Sequence, residues 1–456
     1  MTVRRCARAL LVVLLAAGCS GGGGSSSSTP PLSGPTPRPT SGPGMKIQHV
    51  VVIIQENRSF DNFFATYPGA DGTTTGKTHD GKTVKLVKAN LVSKDLNHMH
   101  SGFVSECDLQ GSTCKMDGFD TIGFGASGQN GAAGTYPYRY VDPTQIAPYW
   151  TMAKQYVLAD HMFQTQGSGS FTGHQDLIRG DTAINDHESI IDSPSRPPWG
   201  CDAPNSQSVT THTSLLTDKG EYLFNKGPFP CFSYATLRDV LDAKGVSWRY
   251  YVPPLVPGST GYLWNAFDAI HAVRYSPEWK ANVISPETQV LKDAAAGQLP
   301  AVSWVIPDAN NSDHPYAHDT GPSWVSQIVD AVGGSSQWNT TAIIVVWDDW
   351  GGFFDHVPPP QLDYQGLGFR VPMLVVSPYA KHGYVSHTQY EFASILRFIE
   401  DNWKLDRIGS ADERAASIAD CFDFHQHARG FVPLRVKYSR AFFLRQRPSY
   451  QPVDDE

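Results

Sequence analysis

Two segments, residues 49–55 with an apolar centre and the unbroken apolar run 342–347, are each followed directly by polar side chains. Both runs are rich in β-branched residues, which is typical of strands buried on both faces of a sheet. The polar residues that follow them, which we call the strand-end residues, are Glu56, Asn57, Asp348 and Asp349. Two buried strands that both end in oxygen-bearing side chains predict a single site shared by the four residues.

Further short apolar runs alternate with stretches of helical spacing. One helical stretch ends at Gly333, and a capping box at 388–391 predicts the start of another helix. The further strands are predicted at 156–160, 246–251, 300–306 and 371–377. The alternation predicts an α/β fold with a mostly parallel sheet sandwiched by helices. We expect residues 45–456 to form one domain, with 66–140 and 181–230 as insertions over the face that carries the site.

The first 44 residues differ in composition from the rest of the chain. Residues 1–19 contain arginines, a short apolar stretch and small residues before Cys19, which predicts an export signal of lipoprotein type. The apolar stretch is shorter than the ~20 residues that a membrane span needs. Residues 20–44 are almost entirely Gly, Ser, Pro and Thr and predict a flexible tether. We expect a secreted or cell-surface protein that contacts a membrane only through a lipidated Cys19.

Net charge and cysteine spacing narrow the class of protein further. The net charge of −8 at pH 7 argues against a basic face that binds nucleic acid. In an exported protein the cysteines of the folded part can oxidise, and four cysteines allow three pairings. The pairs that we expect are Cys107–Cys114 and Cys201–Cys231, which leaves Cys421 free. Metal binding by these thiols is the alternative, although the sequence contains no CxxC pair.

The strand-end residues offer an all-oxygen ligand set. Such a set suits one hard divalent ion such as Ca²⁺ or Mg²⁺, although Zn²⁺ also accepts carboxylates. Burying unpaired carboxylates costs several kcal/mol or more, so some counter-charge is required. The alternative to a metal is that the acids cap helices or pair with Arg58 and Arg370.

A Gly- and Ser-rich segment at 167–175 carries candidate nucleophiles. It follows the predicted strand at 156–160 and precedes a helix predicted to begin near Gln175. Backbone N–H groups at a helix N-terminus favour a phosphate, and a nearby cation activates a hydroxyl. The candidates are Ser168, Ser170 and Thr172. The alternative is a loop in which a serine serves only as an N-cap.

Histidines in polar loops beside the predicted strands are the third component of the predicted site, after the metal ligands and the nucleophile. Imidazolium can bind phosphate oxygens, and a histidine can protonate a leaving alkoxide. His314 and His356 each follow an aspartate near a strand end, so we expect both to act in catalysis. A solvated surface position is the alternative, and it also applies to His100 and His318.

Four segments, in this order, resemble a known family. They are 55–61 (Gln-Glu-Asn-Arg-Ser-Phe-Asp), 170–175 (Ser-Phe-Thr-Gly-His-Gln), 313–315 (Asp-His-Pro) and 347–359 (Trp-Asp-Asp-Trp-Gly-Gly-Phe-Phe-Asp-His-Val-Pro-Pro). They are similar to the signature segments of the bacterial phosphoesterase family of phosphocholine-type phospholipases C and acid phosphatases. The resemblance covers about residues 46–404. It departs from the family where Ser168-Gly169 replaces Gly-Pro and where Thr172 replaces Pro.

The resemblance implies an alkaline-phosphatase-like fold and assigns roles to individual residues. It implies that the strand-end residues bind the metal and that Ser170 is the nucleophile. It implies that His314 and His98 contact phosphate, and we expect His174, in the nucleophile segment, to be substrate-binding together with His98. The large phospholipases C of the family carry further C-terminal β-domains, for which this sequence leaves no room, so we expect the shorter acid-phosphatase-like branch.

The sequence therefore predicts a metal-dependent phosphoesterase that works through a phosphoseryl intermediate. The expected substrate is a small-molecule phosphate ester or a phospholipid headgroup. One alternative is a metal-stabilised surface protein that binds a ligand without turnover. Another is a sulfatase-type hydrolase, but the position of its Cys or Ser nucleophile is occupied by Asp192 in the segment 192–196.

Overall fold

The computed structural model describes residues 46–110, 113–125, 131–256 and 259–450. The predicted signal at 1–19 and tether at 20–44 lie outside these residues and stay predictions. Within the described ranges, no helix combines the length and the apolar character that crossing a membrane would require.

Short strands and helices alternate along the described chain. The strands are β1 (His49–Gln55), β2 (Thr75–Lys77), β3 (Thr83–Lys85), β4 (Val87–Ala89), β5 (Arg139–Val141), β6 (Val157–Ala159), β7 (Met162–Phe163), β8 (Ala183–Asn185), β9 (Glu188–Ile191), β10 (Ser214–Thr217), β11 (Tyr222–Leu223), β12 (Trp248–Tyr251), β13 (Val283–Ile284), β14 (Val302–Val305), β15 (Thr341–Trp347), β16 (Met373–Val376), β17 (Tyr384–Ser386) and β18 (Tyr390–Glu391). The α-helices are α1 (Phe60–Phe64), α2 (His100–Cys107), α3 (Ala147–Gln155), α4 (Ser170–Arg179), α5 (Leu237–Ala243), α6 (Thr260–Leu263), α7 (His271–Arg274), α8 (Glu278–Asn282), α9 (Gln289–Ala295), α10 (Gly321–Gly333), α11 (Phe392–Trp403) and α12 (Arg440–Phe443).

A mostly parallel sheet forms the centre of the fold. In the part of the chain that the structure describes, it contains eight strands in the order β13-β12-β14-β1-β15-β16-β6-β17. β16 runs antiparallel to both of its neighbours, and the other strands run in one direction. β15 is buried along its whole length, and β1 is buried except at His49. The predicted fold class and the predicted buried strands are therefore confirmed.

Helices pack in two groups around this sheet. α10 packs against α3 and α9, whereas α4 packs against α5 and α11. α10 ends at Gly333, as the sequence predicts. The predicted insertions contain α2 and the small sheets β2–β3, β4–β5 and β8–β11, which lie outside the central sheet.

The predicted capping box at 388–391 is wrong. α11 begins at Phe392, and its N-cap is Glu391, whose N–H donates to Ser394 Oγ at 3.0 Å. Residues 390–391 instead pair with β7 as strand β18. This pairing keeps Thr388 outside the helix, so tertiary strand pairing overrides the local capping signal.

The structure joins the cysteine pairs that we expected. Cys107 is bonded to Cys114 and Cys201 to Cys231, and Cys421 is a buried free thiol. The alternative of a metal held by these thiols therefore does not apply to the four bonded cysteines.

Arg370 is a fully buried arginine that donates hydrogen bonds to three segments distant in the sequence. Its guanidinium makes a bidentate pair with Asp355 at 2.9 and 3.0 Å and donates to the carbonyls of Asp71 and Asp160 at 2.8 Å. It also lies 4.6 Å from the ring centroid of Phe60. Burial alone lowers the pKa of Arg370, but the neighbouring carboxylates give a net rise, so it stays charged. Arg370 is thus the counter-charge for a group of buried acids.

We predict that Arg370→Met destabilises the fold. The variant leaves Asp355 and Asp61 buried without their cation, which should lower the free energy of unfolding by about 3–5 kcal/mol. Urea denaturation would measure the change. Arg447→Met, at an exposed position, is the matched control and should unfold like the parent protein. Equal midpoints for the two variants would contradict this role of Arg370.

Candidate active site

The strand-end residues meet because β1 and β15 pair in parallel register. Gln55 lies opposite Trp347, and Asp348 N–H donates to Gln55 O at 2.9 Å. The chain therefore leaves both strands at the same level of the sheet. The main-chain N–H of Asn57 then donates to Asp348 Oδ1 at 3.1 Å. All four strand-end residues are fully buried, and the structure brings them together as the sequence predicts.

Helix α4 brings a serine to this cluster. It begins at Ser170, earlier than the expected start near Gln175, and Ser170 Oγ donates to Asp349 Oδ2 at 3.1 Å. The other two candidate hydroxyls have different partners. Ser168 Oγ donates to Asp192 Oδ1, and Thr172 Oγ1 donates to Gly169 O.

Close packing of α4 against the end of β15 requires a glycine. A Cβ added at Gly173 would lie 2.7 Å from the carbonyl oxygen of Asp348. Any larger residue would push the helix away from the strand end. Gly173 therefore allows Ser170 to reach the acidic cluster.

His174 lies among the strand-end residues. Its Nε2 is 2.9 Å from Glu56 Oε1 and 3.7 Å from Asp348 Oδ2. Burial lowers the pKa of His174 to about 4, against the pull of Asp348, so its ring is neutral near pH 7. Helical geometry explains its place, since positions i and i+4 share one face of α4 with Ser170. From the sequence we expect His174 to bind substrate, and in the structure its ring nitrogen is also a candidate metal ligand beside the expected all-oxygen set.

His98 contacts the strand-end amide. Its Nδ1 lies 2.7 Å from the carbonyl of Leu96, which can only accept, so Nδ1 carries the proton. Nε2 lies 2.8 Å from Asn57 Nδ2, and since an amide nitrogen can only donate, Nε2 accepts from it. This orientation turns Asn57 Oδ1 away from His98.

Aromatic and imidazole rings lie around His314, and a buried hydrogen bond holds the residue before it. Its ring centroid lies 6.2 Å from that of His98 and 6.4 Å from Trp264, whose plane is also nearly parallel to His174. The preceding residue, Asp313, accepts from Tyr149 Oη at 2.6 Å. Burial raises the pKa of Asp313 to about 7.

Arg58 connects two of the site's loops. Its Nε donates to Asp313 O at 2.9 Å, and its backbone N–H donates to Asp349 O at 2.9 Å. Asn57 and Asp313 both have left-handed backbone angles, φ 60° and 69°, which are uncommon for residues other than glycine. Arg58 thus holds two strained loop residues in place beside the candidate metal ligands. The alternative in which Arg58 and Arg370 form side-chain ion pairs with Asp348 is not what the structure describes.

The donor set fits a cation. Ligand atoms of Glu56, His174 and Asp348 lie within 4.8 Å of one another. Among the described residues, the one basic side chain recorded within 4.0 Å of the Asp348 carboxylate is the neutral imidazole of His174, and the buried atoms Asp348 Oδ2 and Asn57 Oδ1 accept no hydrogen bond. A buried carboxylate without a charged partner is costly, and a divalent ion removes that cost. Mixed oxygen and imidazole ligands suit Zn²⁺ or Mn²⁺ as well as harder ions.

His356 belongs to a different cluster. Its Nδ1 lies 2.6 Å from Asp61 Oδ2, and its Nε2 lies 3.3 Å from Asp71 Oδ1. Asp61, Asp355 and His356 also form a group that could hold a metal. However, Arg370 already supplies the positive charge there.

The two remaining candidate histidines lie elsewhere. His318 is exposed, and His100 contacts the loop before α4.

Two contacts of the site were not predicted from the sequence, and only the first of them has a local signal. His174 could have been placed beside Ser170 from its helical spacing alone. The stacking of Trp264 against two histidines depends on the return of a distant loop to the sheet edge, and no local pattern marks it.

Comparison with known proteins identifies the family to which the chain belongs. The profile of the Phosphoesterase family matches residues 47–406, and the chain therefore belongs to this family. The resemblance carried by the four sequence segments is confirmed.

Individual relatives are phospholipases C. The chain is 26% identical over 417 residues to the non-hemolytic phospholipase C of Pseudomonas aeruginosa, with 78% of this chain and 54% of that relative covered. It is 26% identical over 432 residues to phospholipase C B of Mycobacterium tuberculosis, with 84% and 78% covered. The chain thus spans about half the length of the Pseudomonas relative. Among solved structures, a protein in the alkaline phosphatase superfamily from Vibrio parahaemolyticus has a TM-score of 0.36 and 13% identity, with 82% of this chain and 72% of that chain covered.

We predict that Asp348→Asn weakens metal binding. The variant removes a negative charge from the donor set, and it should lower the affinity for a divalent ion at least about tenfold, since even outer-shell changes have that effect. Elemental analysis after dialysis would measure the retained metal. Asp186→Asn, at an exposed position, is the matched control. Equal metal content in the two variants would remove Asp348 from the ligand set.

Proposed function

We propose that the protein is a metal-dependent phosphoesterase that hydrolyses phosphate esters through a phosphoseryl intermediate. The observation that carries the proposal is the hydrogen bond from Ser170 Oγ to Asp349 Oδ2, which places a helix N-terminal serine in the candidate metal cluster. Membership in the Phosphoesterase family supports the same reaction class.

The metal would be held by the strand-end residues, with His174 as a further donor. The orphaned oxygens of Asp348 and Asn57 support this assignment. A divalent ion at this position supplies positive charge that favours the serine alkoxide and the phosphoryl oxygens. Because the set includes an imidazole nitrogen, Mn²⁺ and Zn²⁺ suit it as well as Mg²⁺ and Ca²⁺.

Ser170 is the proposed nucleophile. Its hydroxyl proton has an acceptor in Asp349 Oδ2 when Oγ attacks phosphorus. A bond from Oγ to phosphorus forms, and the bond from phosphorus to the leaving oxygen breaks, with the alcohol taking up a proton. Water then attacks the phosphoserine, which releases phosphate and restores the hydroxyl. The first turn of α4 favours the negative charge of the phosphoryl group, because the N–H groups of that turn lack carbonyl partners within the helix.

The histidines have separate proposed roles. His314 is the residue that we propose contacts the phosphoryl group and protonates the leaving oxygen, since it lies beside His98 and Trp264 at the site. His98 would act on phosphate and also orient the Asn57 amide. His356 hydrogen-bonds to Asp61, so we propose that it acts through the Arg370 cluster instead of on the substrate.

The substrate class follows from the reaction and from the relatives. The matched relatives are named phospholipases C, which supports a phosphate ester of a lipid or of a small alcohol as substrate. We retain export and a lipidated Cys19 as proposals from the sequence. They would place such an enzyme at the cell surface or outside the cell.

The sulfatase alternative has less support. Asp192 stands where that chemistry needs Cys or Ser, and its carboxylate accepts hydrogen bonds from His100 N–H and Tyr222 Oη. These contacts engage both of its oxygens in the fold.

We predict that Ser170→Ala abolishes turnover of a chromogenic phosphate ester. Loss of a catalytic nucleophile should lower kcat by at least about 1,000-fold. The control is Ser208→Ala in an exposed loop, which should behave like the parent enzyme. Mass spectrometry of the quenched reaction should find phosphate on Ser170 in the parent and none in the variant. A Ser170→Ala enzyme with substantial turnover would reject this nucleophile.

We also predict that chelation removes activity and that a divalent ion restores it. Phosphomonoesters, phosphodiesters and phospholipids would be compared as substrates before chelation, after chelation and after metal return. Hydrolysis of at least one class, lost and recovered with metal, is the expected result. If none is hydrolysed while chelation still lowers thermal stability, the non-catalytic binding protein becomes the better description.

A further inference from the structure

Asp192 contacts the loop that precedes the proposed nucleophile. It follows strand β9, is 2% exposed, and its N–H donates to Ser168 Oγ at 2.8 Å. Ser168 Oγ lies 3.2 Å from Asp192 Oδ1, to which it donates. One residue thus both donates to and accepts from the hydroxyl that stands two positions before Ser170.

The carboxylate of Asp192 also accepts hydrogen bonds from two other segments. His100 N–H, at the start of α2, donates to Asp192 Oδ1 at 2.7 Å. Tyr222 Oη, in the hairpin of β10 and β11, donates to Asp192 Oδ2 at 2.9 Å. Asp192 is therefore the point at which the nucleophile loop, α2 and the hairpin meet.

Helix α2 holds the adjacent part of the loop. His100 Nδ1 lies 2.7 Å from the carbonyl of Gly167, to which it donates. A Cβ added at Gly167 would lie 2.2 Å from the ring of Phe103. Gln164 Nε2 donates to the Ser168 carbonyl on the other side. The loop is held through its carbonyl groups and its hydroxyl, which leaves Ser170 facing Asp349.

The backbone of Asp192 has an uncommon conformation. Its φ of 56° lies in the left-handed region, which aspartate and asparagine tolerate better than most residues. Such a conformation persists where surrounding contacts require it, and often where function does. Here it turns the N–H and the carboxylate of one residue toward the same loop.

We infer that Asp192 is a positioning residue for Ser170. This inference rests on the proposed function, because it assumes that Ser170 is the nucleophile. Asp192 sets the direction of Ser170 Oγ through Ser168 and Gly167 and touches neither metal nor substrate. A hydroxyl displaced by about 1 Å from its line of attack reacts up to about 100-fold more slowly.

Asp192→Gly tests the inference without straining the backbone, since glycine adopts positive φ freely. With a soluble chromogenic phosphate ester and saturating metal, we expect kcat to fall by about 10- to 100-fold while KM stays within about twofold. Metal content should be unchanged, because no described contact of Asp192 involves a strand-end residue. A merely structural role would lower the melting temperature and leave kcat at 25 °C intact.

Companion variants separate the contacts of the two carboxylate oxygens. Asp192→Asn keeps an oxygen that can accept from His100 N–H and should restore most of kcat. Tyr222→Phe removes only the partner of Oδ2 and should retain the parent kcat. Ser168→Ala should lower kcat, and combining it with Asp192→Gly should add little, because both remove one interaction.

Clear outcomes would overturn the inference. A parent-like kcat in Asp192→Gly does so. The inference also fails if the fold-decrease in kcat of the double variant equals the product of the decreases in Ser168→Ala and Asp192→Gly. If Asp192→Gly does not fold, Ser168→Ala and Asp192→Asn decide, and a parent-like kcat in Ser168→Ala rejects the role. Ser170→Ala is measured alongside them. Activity there rejects the proposed nucleophile itself, whereas an inactive Ser170→Ala with an unaffected Asp192→Gly rejects only the positioning role.

Discussion

The parallel pairing of β1 with β15 is the constraint on which the candidate site depends. The pairing runs along the full length of both strands and ends with Gln55 opposite Trp347. A slip by one residue would turn every side chain of one strand to the opposite face, and because both faces of these strands are buried, the close packing on both sides of the sheet resists such a slip. Glu56 and Asp348 are then neighbours because of the core beneath them. The packing energy of the apolar strands holds acidic groups together at a distance that they would not otherwise keep.

The two buried acidic groups of the fold differ in the counter-charge that the chain supplies. Around Asp61 and Asp355 the chain supplies its own cation, Arg370, in bidentate geometry. Around Asp348 it supplies His174, which burial keeps neutral. By geometry both groups could hold a metal ion, and the metal that we propose belongs to the second, around which no arginine forms an ion pair with Asp348 among the described residues. This contrast explains why His356, although it belongs to a sequence motif next to the acidic pair, takes part in the internally balanced group.

Sequence reasoning succeeded where the signal is local and repeated. Unbroken β-branched runs identified the central strands, and oxygen side chains at their ends identified the candidate ligands. It could not choose among Ser168, Ser170 and Thr172, because the choice depends on contacts with residues far away in the chain. It misplaced the start of α11 because residues 390–391 pair with β7. The sequence does not display such tertiary pairing, which outweighs a capping preference of about 1 kcal/mol.

Close approach between backbones completes the arrangement of the site. A Cβ at Gly173 would collide with the Asp348 carbonyl, and a Cβ at Gly351, whose φ is +65°, would lie 2.2 Å from the Asn57 carbonyl. The absence of a side chain at both glycines lets α4 and the two strand ends approach one another. Preorganised donors stabilise developing charge because they do not need to reorient during the reaction. The two glycines, the backbone N–H of Arg58 that donates to Asp349 O and, in our inference, Asp192 therefore all act on the distance between Ser170 Oγ and the acidic cluster.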